Sequence, residues 1–244
     1  MSTGEGRFIS LEGIEGAGKS TLAVALEAAL RARGLPVRRT REPGGTPLAE
    51  QLRSLVLARG PEHLRPEGET LLMFAARAIH LDNLIRPALQ AGEWVLCDRF
   101  TDATRAYQGS GRGVSGDLIE RIAEAVHGDL WPQRTLLLDL PVEQGMARAR
   151  ARAGAVDRFE DEDRRFFERV RTGYLRIAAA EPQRVRILDA TAAPALLEQR
   201  ALEALADLLP SPRGSEDAAR GAAARPAGAA ATVQGSPEDG AARG

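Results

Sequence analysis

The chain is nearly devoid of lysine. Lysine and arginine together number 33, and Lys19 is the one lysine among them. Arginine bias on that scale reads as genome composition, which makes the position that kept its lysine worth inspecting. There is one cysteine, Cys97, which excludes an internal disulfide and a zinc site of paired cysteines. It reads as a small buried hydrophobe in a strand. His63, His80 and His127 lie too far apart in sequence to form a ligand pattern. The formal net charge of −1 excludes a nucleic-acid binder that works by bulk positive charge. No run approaches the roughly 18 apolar residues of a membrane span, and Met1 to Arg7 has no apolar signal region. The expectation is a cytoplasmic protein with neither nucleic acid nor membrane as partner.

What is present is ordinary globular material: 43% hydrophobic and 27% charged residues, which rules out a mostly disordered chain. Residues 211–244 are the exception. They are mostly Ala, Gly, Pro, Ser and Arg, with no Leu, Ile or aromatic residue and Val233 as the one β-branched aliphatic. Such a segment cannot bury enough apolar area to offset ordering entropy, so it reads as a disordered tail behind a folded domain over 1–210. Within that domain strand and helix patterns alternate. Strands are expected at Phe8–Glu12, Val37–Arg41, Trp94–Asp98, Thr135–Leu140 and Val185–Leu188. Helices are expected at Ser20–Arg33, Pro47–Ala58, Glu67–Gln90 (one or two), Ser115–Val126, Val142–Arg152, Asp161–Ala180 and Pro194–Leu209. The alternation predicts an α/β fold with a mostly parallel five-stranded sheet and helices on both faces.

Gly13-Ile14-Glu15-Gly16-Ala17-Gly18-Lys19-Ser20 fits the phosphate-loop pattern G-x-x-x-x-G-K-[ST], with a strand before it and a helix after it. Glycines let successive backbone N–H groups face phosphate oxygens. The following helix, beginning with Lys19, Ser20 and Thr21, adds its positive dipole end. Lys19 would reach the β- and γ-phosphates and Ser20 would ligate Mg²⁺. Residues 13–21 are therefore the expected ATP–Mg²⁺ site. A guanine-specific Asn-Lys-x-Asp element is impossible without a second lysine. The loop alone leaves ATPase, motor and small-molecule kinase open.

Further features are Arg41-Glu42-Pro43-Gly44-Gly45-Thr46 after the second strand, Asp98-Arg99-Phe100 after the third, Ala106-Tyr107-Gln108-Gly109 with a flexible glycine run to Gly113, and Arg148-Ala149-Arg150-Ala151-Arg152. Arg99, at the end of a parallel strand, is placed to grip a phosphate bidentately. Phe74 and Arg77 are three apart on one helix. Amid Leu71, Leu72 and Met73, Phe74 by itself reads as core.

With these motifs, residues 7–209 resemble the bacterial thymidylate kinases, nucleoside-monophosphate kinases of the P-loop class. The resemblance implies a three-layer P-loop kinase fold with a short arginine-rich lid. It implies that Phe74 stacks on thymine, that Arg77 bonds its carbonyl, and that Thr104 and Gln108 meet the base edge. Tyr107 would lie at the deoxyribose and Glu15 at the 3′-hydroxyl, with Glu42 also at the substrate. Arg99 would hold the acceptor phosphate, and Asp98 would share Mg²⁺ with Ser20. Arg148 and Arg152, four apart on one lid face, would reach the transferred group; Gly16 fits the type whose lid supplies that arginine. Asp189-Ala190-Thr191 resembles the loop beside adenine. Phe100 stands where the family has Tyr or His and lacks their polar tip. The implied reaction is ATP + dTMP → ADP + dTDP, by a homodimer. A kinase for another nucleotide and an ATP-binding switch are the rival readings.

Overall fold

The computed structural model describes residues 5–58, 63–151 and 162–210. Five strands form one parallel sheet: β1 (Arg7–Glu12), β2 (Val37–Arg41), β3 (Trp94–Asp98), β4 (Arg134–Asp139) and β5 (Val185–Asp189), in the order β2-β3-β1-β4-β5. The central strands are near-continuous apolar runs because both of their faces are covered. Ile9, Leu11, Leu96, Leu136 and Leu138 face α1 (Lys19–Ala32) and α9 (Pro194–Ala204), where Leu22, Leu26, Leu30 and Leu197 complete the layer. Phe8, Val95 and Cys97 alternate to the other face and meet Leu81, Ile85 and Phe100. Edge strand β2 carries exposed Arg38 and Arg39, charges that discourage a further strand from pairing.

The register decides where loops gather. Leu11 pairs with Asp98, and Arg41 pairs with Asp98 from the other side. The carboxyl ends of β1, β2 and β3 therefore lie level, so the phosphate loop, the Glu42 turn and the Arg99 turn leave the sheet together. Ligands of open parallel sheets bind at such an edge.

The remaining helices are α2 (Pro47–Leu57), α3 (Pro66–His80), α4 (Arg86–Gln90), α5 (Thr101–Thr104), α6 (Gly116–His127), α7 (Val142–Ala151) and α8 (Arg164–Ala180). The pattern over 67–90 is one continuous path: α3 passes through a π-helical turn at Leu81–Ile85 into α4. Pro87 has no N–H to donate, so the regular ladder is interrupted there. The expected start of α8 at Asp161 moves to Arg164, because Asp163 Oδ1 accepts from Phe166 N at 2.7 Å and caps the helix. The last helix stops at Ala204 and continues only as turns.

The glycine run after Tyr107 is not a flexible loop at its start. Helix α5 runs into a π-helical segment, Arg105–Gly111, packed on α8. A Cβ on Gly111 would lie 2.6 Å from the Phe166 ring, and one on Gly173 would strike Ser110. These glycines allow close approach of two helices.

The described residues up to Leu209 form one compact unit. No described helix is long and apolar enough to cross a membrane. The expected tail and Arg152 lie outside the described residues.

Candidate active site

The phosphate loop leaves β1 with three glycines at positive φ, Gly13 (136°), Gly16 (74°) and Gly18 (94°). A side chain at Gly13 would meet Leu138 O at 2.5 Å, so the loop lies flat on the end of β4. Lys19 is buried under it and donates to Gly13 O and Ile14 O, both at 3.0 Å. Burial, aided by the nearby Arg99 cation, brings its ammonium down to about 8. The loop thus holds its own cation in its concavity before any phosphate arrives. Ser20 Oγ donates to Asp98 Oδ2 at 3.1 Å. A hydroxyl and a carboxylate side by side are hard oxygen donors that fit Mg²⁺. Thr21 follows, exposed in the first turn of α1.

Arg99 is the one non-glycine residue at positive φ (74°) among those described. A left-handed arginine costs about 1 kcal/mol or more, and it persists only where the surroundings dictate it. Here the backbone is tied at every exit. Arg99 N donates to Leu11 O at 2.9 Å, Cys97 Sγ donates to Arg99 O at 3.0 Å, and Phe100 N donates to Glu12 Oε1 at 2.7 Å. The guanidinium is equally bound. Nη1 donates to Gly13 O (3.0 Å) and Tyr174 Oη (3.2 Å); Nη2 donates to Glu15 Oε1 (2.8 Å) and Tyr107 Oη (3.0 Å). Tyr107 in turn donates to Glu15 and Tyr174 donates to Glu12, each at 2.7 Å. Burial disfavours the Arg99 charge, but Tyr107, Glu15, Tyr174 and Asp98 outweigh it and keep the group cationic. Burial, reinforced by Asp102, pushes the Glu12 carboxyl up to about 8.

Beside Arg99 opens a cavity walled by Glu15, Glu42, Arg53, Met73, Arg77, Phe100, Thr104, Tyr107 and Gln108, among others. Arg77 is 3% exposed. Its Nε donates to Glu42 Oε2 at 2.6 Å and its Nη2 to Thr104 Oγ1 at 3.2 Å, while Nη1 is buried without a partner. Glu42 Oε1 meets His80 Nδ1 at 3.0 Å, and His80 Nε2 meets Thr40 Oγ1 at 2.7 Å. Burial raises the Glu42 carboxyl, but Arg77 and His80 pull it below the ordinary carboxylate range. With both oxygens engaged, Glu42 clamps Arg77 while also lining the cavity. Glu42, His80 and Cys97 gather tightly enough to suggest a metal, yet the Arg77 cation already occupies the carboxylate.

Phe74 is the clearest departure from expectation. It does not line the cavity. It is 1% exposed and packs with Val114, Ile119 and Ala123, with the Arg77 guanidinium 4.7 Å from its ring centroid. Met73, one residue earlier, faces the cavity. Arg77 neighbours both Met73, four residues earlier, and Phe74, three earlier; of the two, Met73 lines the cavity and Phe74 packs behind the guanidinium. Phe100 is 1% exposed, edge-on to Phe8 at 4.9 Å, and its ring lies 5.0 Å from the Arg77 guanidinium.

Helix α7 abuts the phosphate loop. A Cβ on Gly16 would collide with Gly145 O, and one on Gly145 would lie 2.7 Å from Glu15 O. Arg148 follows on α7, beside Gly16, and its Nη1 donates to Ala190 O at 3.1 Å. Loop, α7 and the turn after β5 thus meet around Arg148.

A family model described as thymidylate kinase matches residues 11–201. The chain belongs to the thymidylate kinase family. Enzymes of this family phosphorylate dTMP to dTDP. The thymidylate kinase of Pseudomonas syringae pv. tomato is 56% identical over 209 residues, covering 86% of this chain and 99% of that protein. That of Pseudomonas entomophila is 58% identical over 200 residues, covering 82% and 94%. The crystal structure of thymidylate kinase from Ehrlichia chaffeensis matches with a TM-score of 0.66 at 30% identity, covering 82% of this chain and 98% of that one.

Several residues of the site escaped the sequence reading. Glu12 ends an apolar strand, and an acid there is a usable signal. Tyr174 is one of only two tyrosines, and both bind Arg99. Nothing marked Met73 within a Leu/Met run or Arg53 among so many arginines.

Proposed function

We propose that this family member transfers the γ-phosphoryl group of ATP–Mg²⁺ to dTMP. The observation that carries the reading is Arg99, which donates to the loop carbonyl of Gly13 and also lines the adjacent cavity. One guanidinium therefore touches both the donor loop and the acceptor chamber. Residues 13–21 would cradle the ATP phosphates, with Lys19 turning from the loop carbonyls to the anion. Ser20 and Asp98 would hold Mg²⁺, which when bound neutralises charge on the donor phosphates.

In the cavity, Arg77, Thr104 and Gln108 would face the thymine edge, Met73 would wall its face, and Tyr107 and Glu15 would meet the sugar. Arg99 would orient the acceptor phosphate. That oxygen is already ionised, so no strong general base is required. Positioning, charge neutralisation and exclusion of water carry the rate. Arg148, on α7 beside the phosphate loop, would reach toward the transferred group. The test is ADP release measured across a panel of nucleoside monophosphates. dTMP should be the fastest acceptor; faster turnover of dCMP or AMP would overturn the assignment.

We also propose a homodimer. Apolar faces of α3 and α6 pack on each other within the chain, through Phe74, Val114, Ile119 and Ala123. Leu55 of α2 and Leu71 of α3, 62% and 57% exposed, stay outside that contact and supply an apolar face for a second copy.

A further inference from the structure

Gln108 lines the acceptor cavity at 1% exposure. An amide can offer a cavity either a donor or an acceptor, and half a turn of its last bond exchanges the two. In this chain the choice is made by a residue behind it. Gln108 Nε2 donates to Glu69 Oε1 at 2.8 Å. The same oxygen receives Arg112 Nε at 2.8 Å. A guanidinium has no acceptor, so Glu69 Oε1 must be accepting, and only the NH₂ end of Gln108 can satisfy it. Glu69 is 1% exposed and does not line the cavity. The carbonyl of Gln108 is what remains for a ligand. On the same wall, Arg77 has committed Nε and Nη2 and keeps Nη1 as a buried unpartnered donor. The Gln108 carbonyl and Arg77 Nη1 thus offer the cavity an acceptor and a donor, beside the Thr104 hydroxyl that accepts from Arg77 Nη2.

We propose that Glu69 is a positioning residue that sets base choice by locking the Gln108 amide with its carbonyl toward the ligand. The proposal rests on the reading of this cavity as the dTMP site. Thymine presents a ring N–H beside a carbonyl, which complements that pair. Cytosine presents a ring lone pair beside an amino group, so both contacts become like-with-like and leave buried groups unpaired. Glu69 enforces the pattern without touching the base.

The test compares dTMP with dCMP, the latter scored as substrate or as competitive inhibitor, in Glu69→Leu and Glu69→Gln. Leucine removes the acceptor and frees the amide to turn. The dTMP preference should fall about tenfold or more, chiefly through KM for dTMP, with kcat within about threefold. Glutamine still offers a carbonyl to Arg112 and Gln108 and should restore the preference. A folded Leu variant with the wild-type preference overturns the proposal. So does a Gln variant that has lost the preference, a result readable even if the Leu variant fails to fold. A wild-type protein with no preference for dTMP overturns the underlying site reading instead.

Discussion

Lys19 and Arg99 serve one loop by different chemistry. A compact ammonium tucks under the loop and can move between phosphates, whereas the forked guanidinium is fixed by four acceptors and holds a geometry. Replacing Lys19 with Ala should cut dTMP-dependent ADP release by about 10²–10³-fold or more while the thermal transition is retained. Near-wild-type turnover would remove the loop from the mechanism. His127 offers a different test at this scale. Its Nε2 bonds Thr101 Oγ1 at 2.9 Å, and burial, with the Arg77 cation nearby, lowers its pKa from 6.5 to about 4. Between those values the unfolded chain binds the proton and the folded one does not, so stability is full above pH 6.5 and declines as pH falls toward 4. Urea midpoints across that range should drop more steeply for wild type than for His127→Gln. Equal slopes would show that His127 charges freely in the folded state.

At the scale of elements, α3 divides its faces with single-residue sharpness. Phe74→Ala opens the core against α6 and should cost about 3–5 kcal/mol in denaturant unfolding. Met73→Ala should unfold closer to wild type and show its effect as a raised KM for dTMP. The reverse pattern would return Phe74 to the ligand side. Apolar patterning identified this helix readily, but it could not say which of two adjacent apolar residues faces a cavity, because both are hidden from water. The glycines after Tyr107 depart from the expected flexible run for a related reason. A glycine in sequence signals backbone freedom, whereas Gly111 is required by the ring of Phe166, which lies far along the chain.

For the molecule as a whole, strand order brings the ends of β1, β2 and β3 level, and that geometry assembles donor loop, clamp and acceptor cavity. The same packing consumes the α3 and α6 faces internally and leaves Leu55 and Leu71 outside. Light scattering of the 26.1 kDa chain should report twice that mass, and Leu71→Lys should shift it toward the single-chain value. A dimer indifferent to that change would place the interface elsewhere.

Local chemistry was legible from the sequence alone. Backbone-dictated motifs such as the phosphate loop, the strands and their punctuation depend on neighbours a few residues away, so the order of residues determines them. The placement of Lys19, Ser20 and Arg99 followed from it. Tertiary structure decided what depends on distant partners: the left-handed Arg99 held by Glu12, Cys97 and Tyr174; Glu42 spent on Arg77; and Met73 turned to the cavity in place of Phe74. Glu69 belongs with these. An acid in a helix reads as surface charge until the fold buries it beside Arg112 and Gln108, where the oxygen those two share settles which way an amide faces.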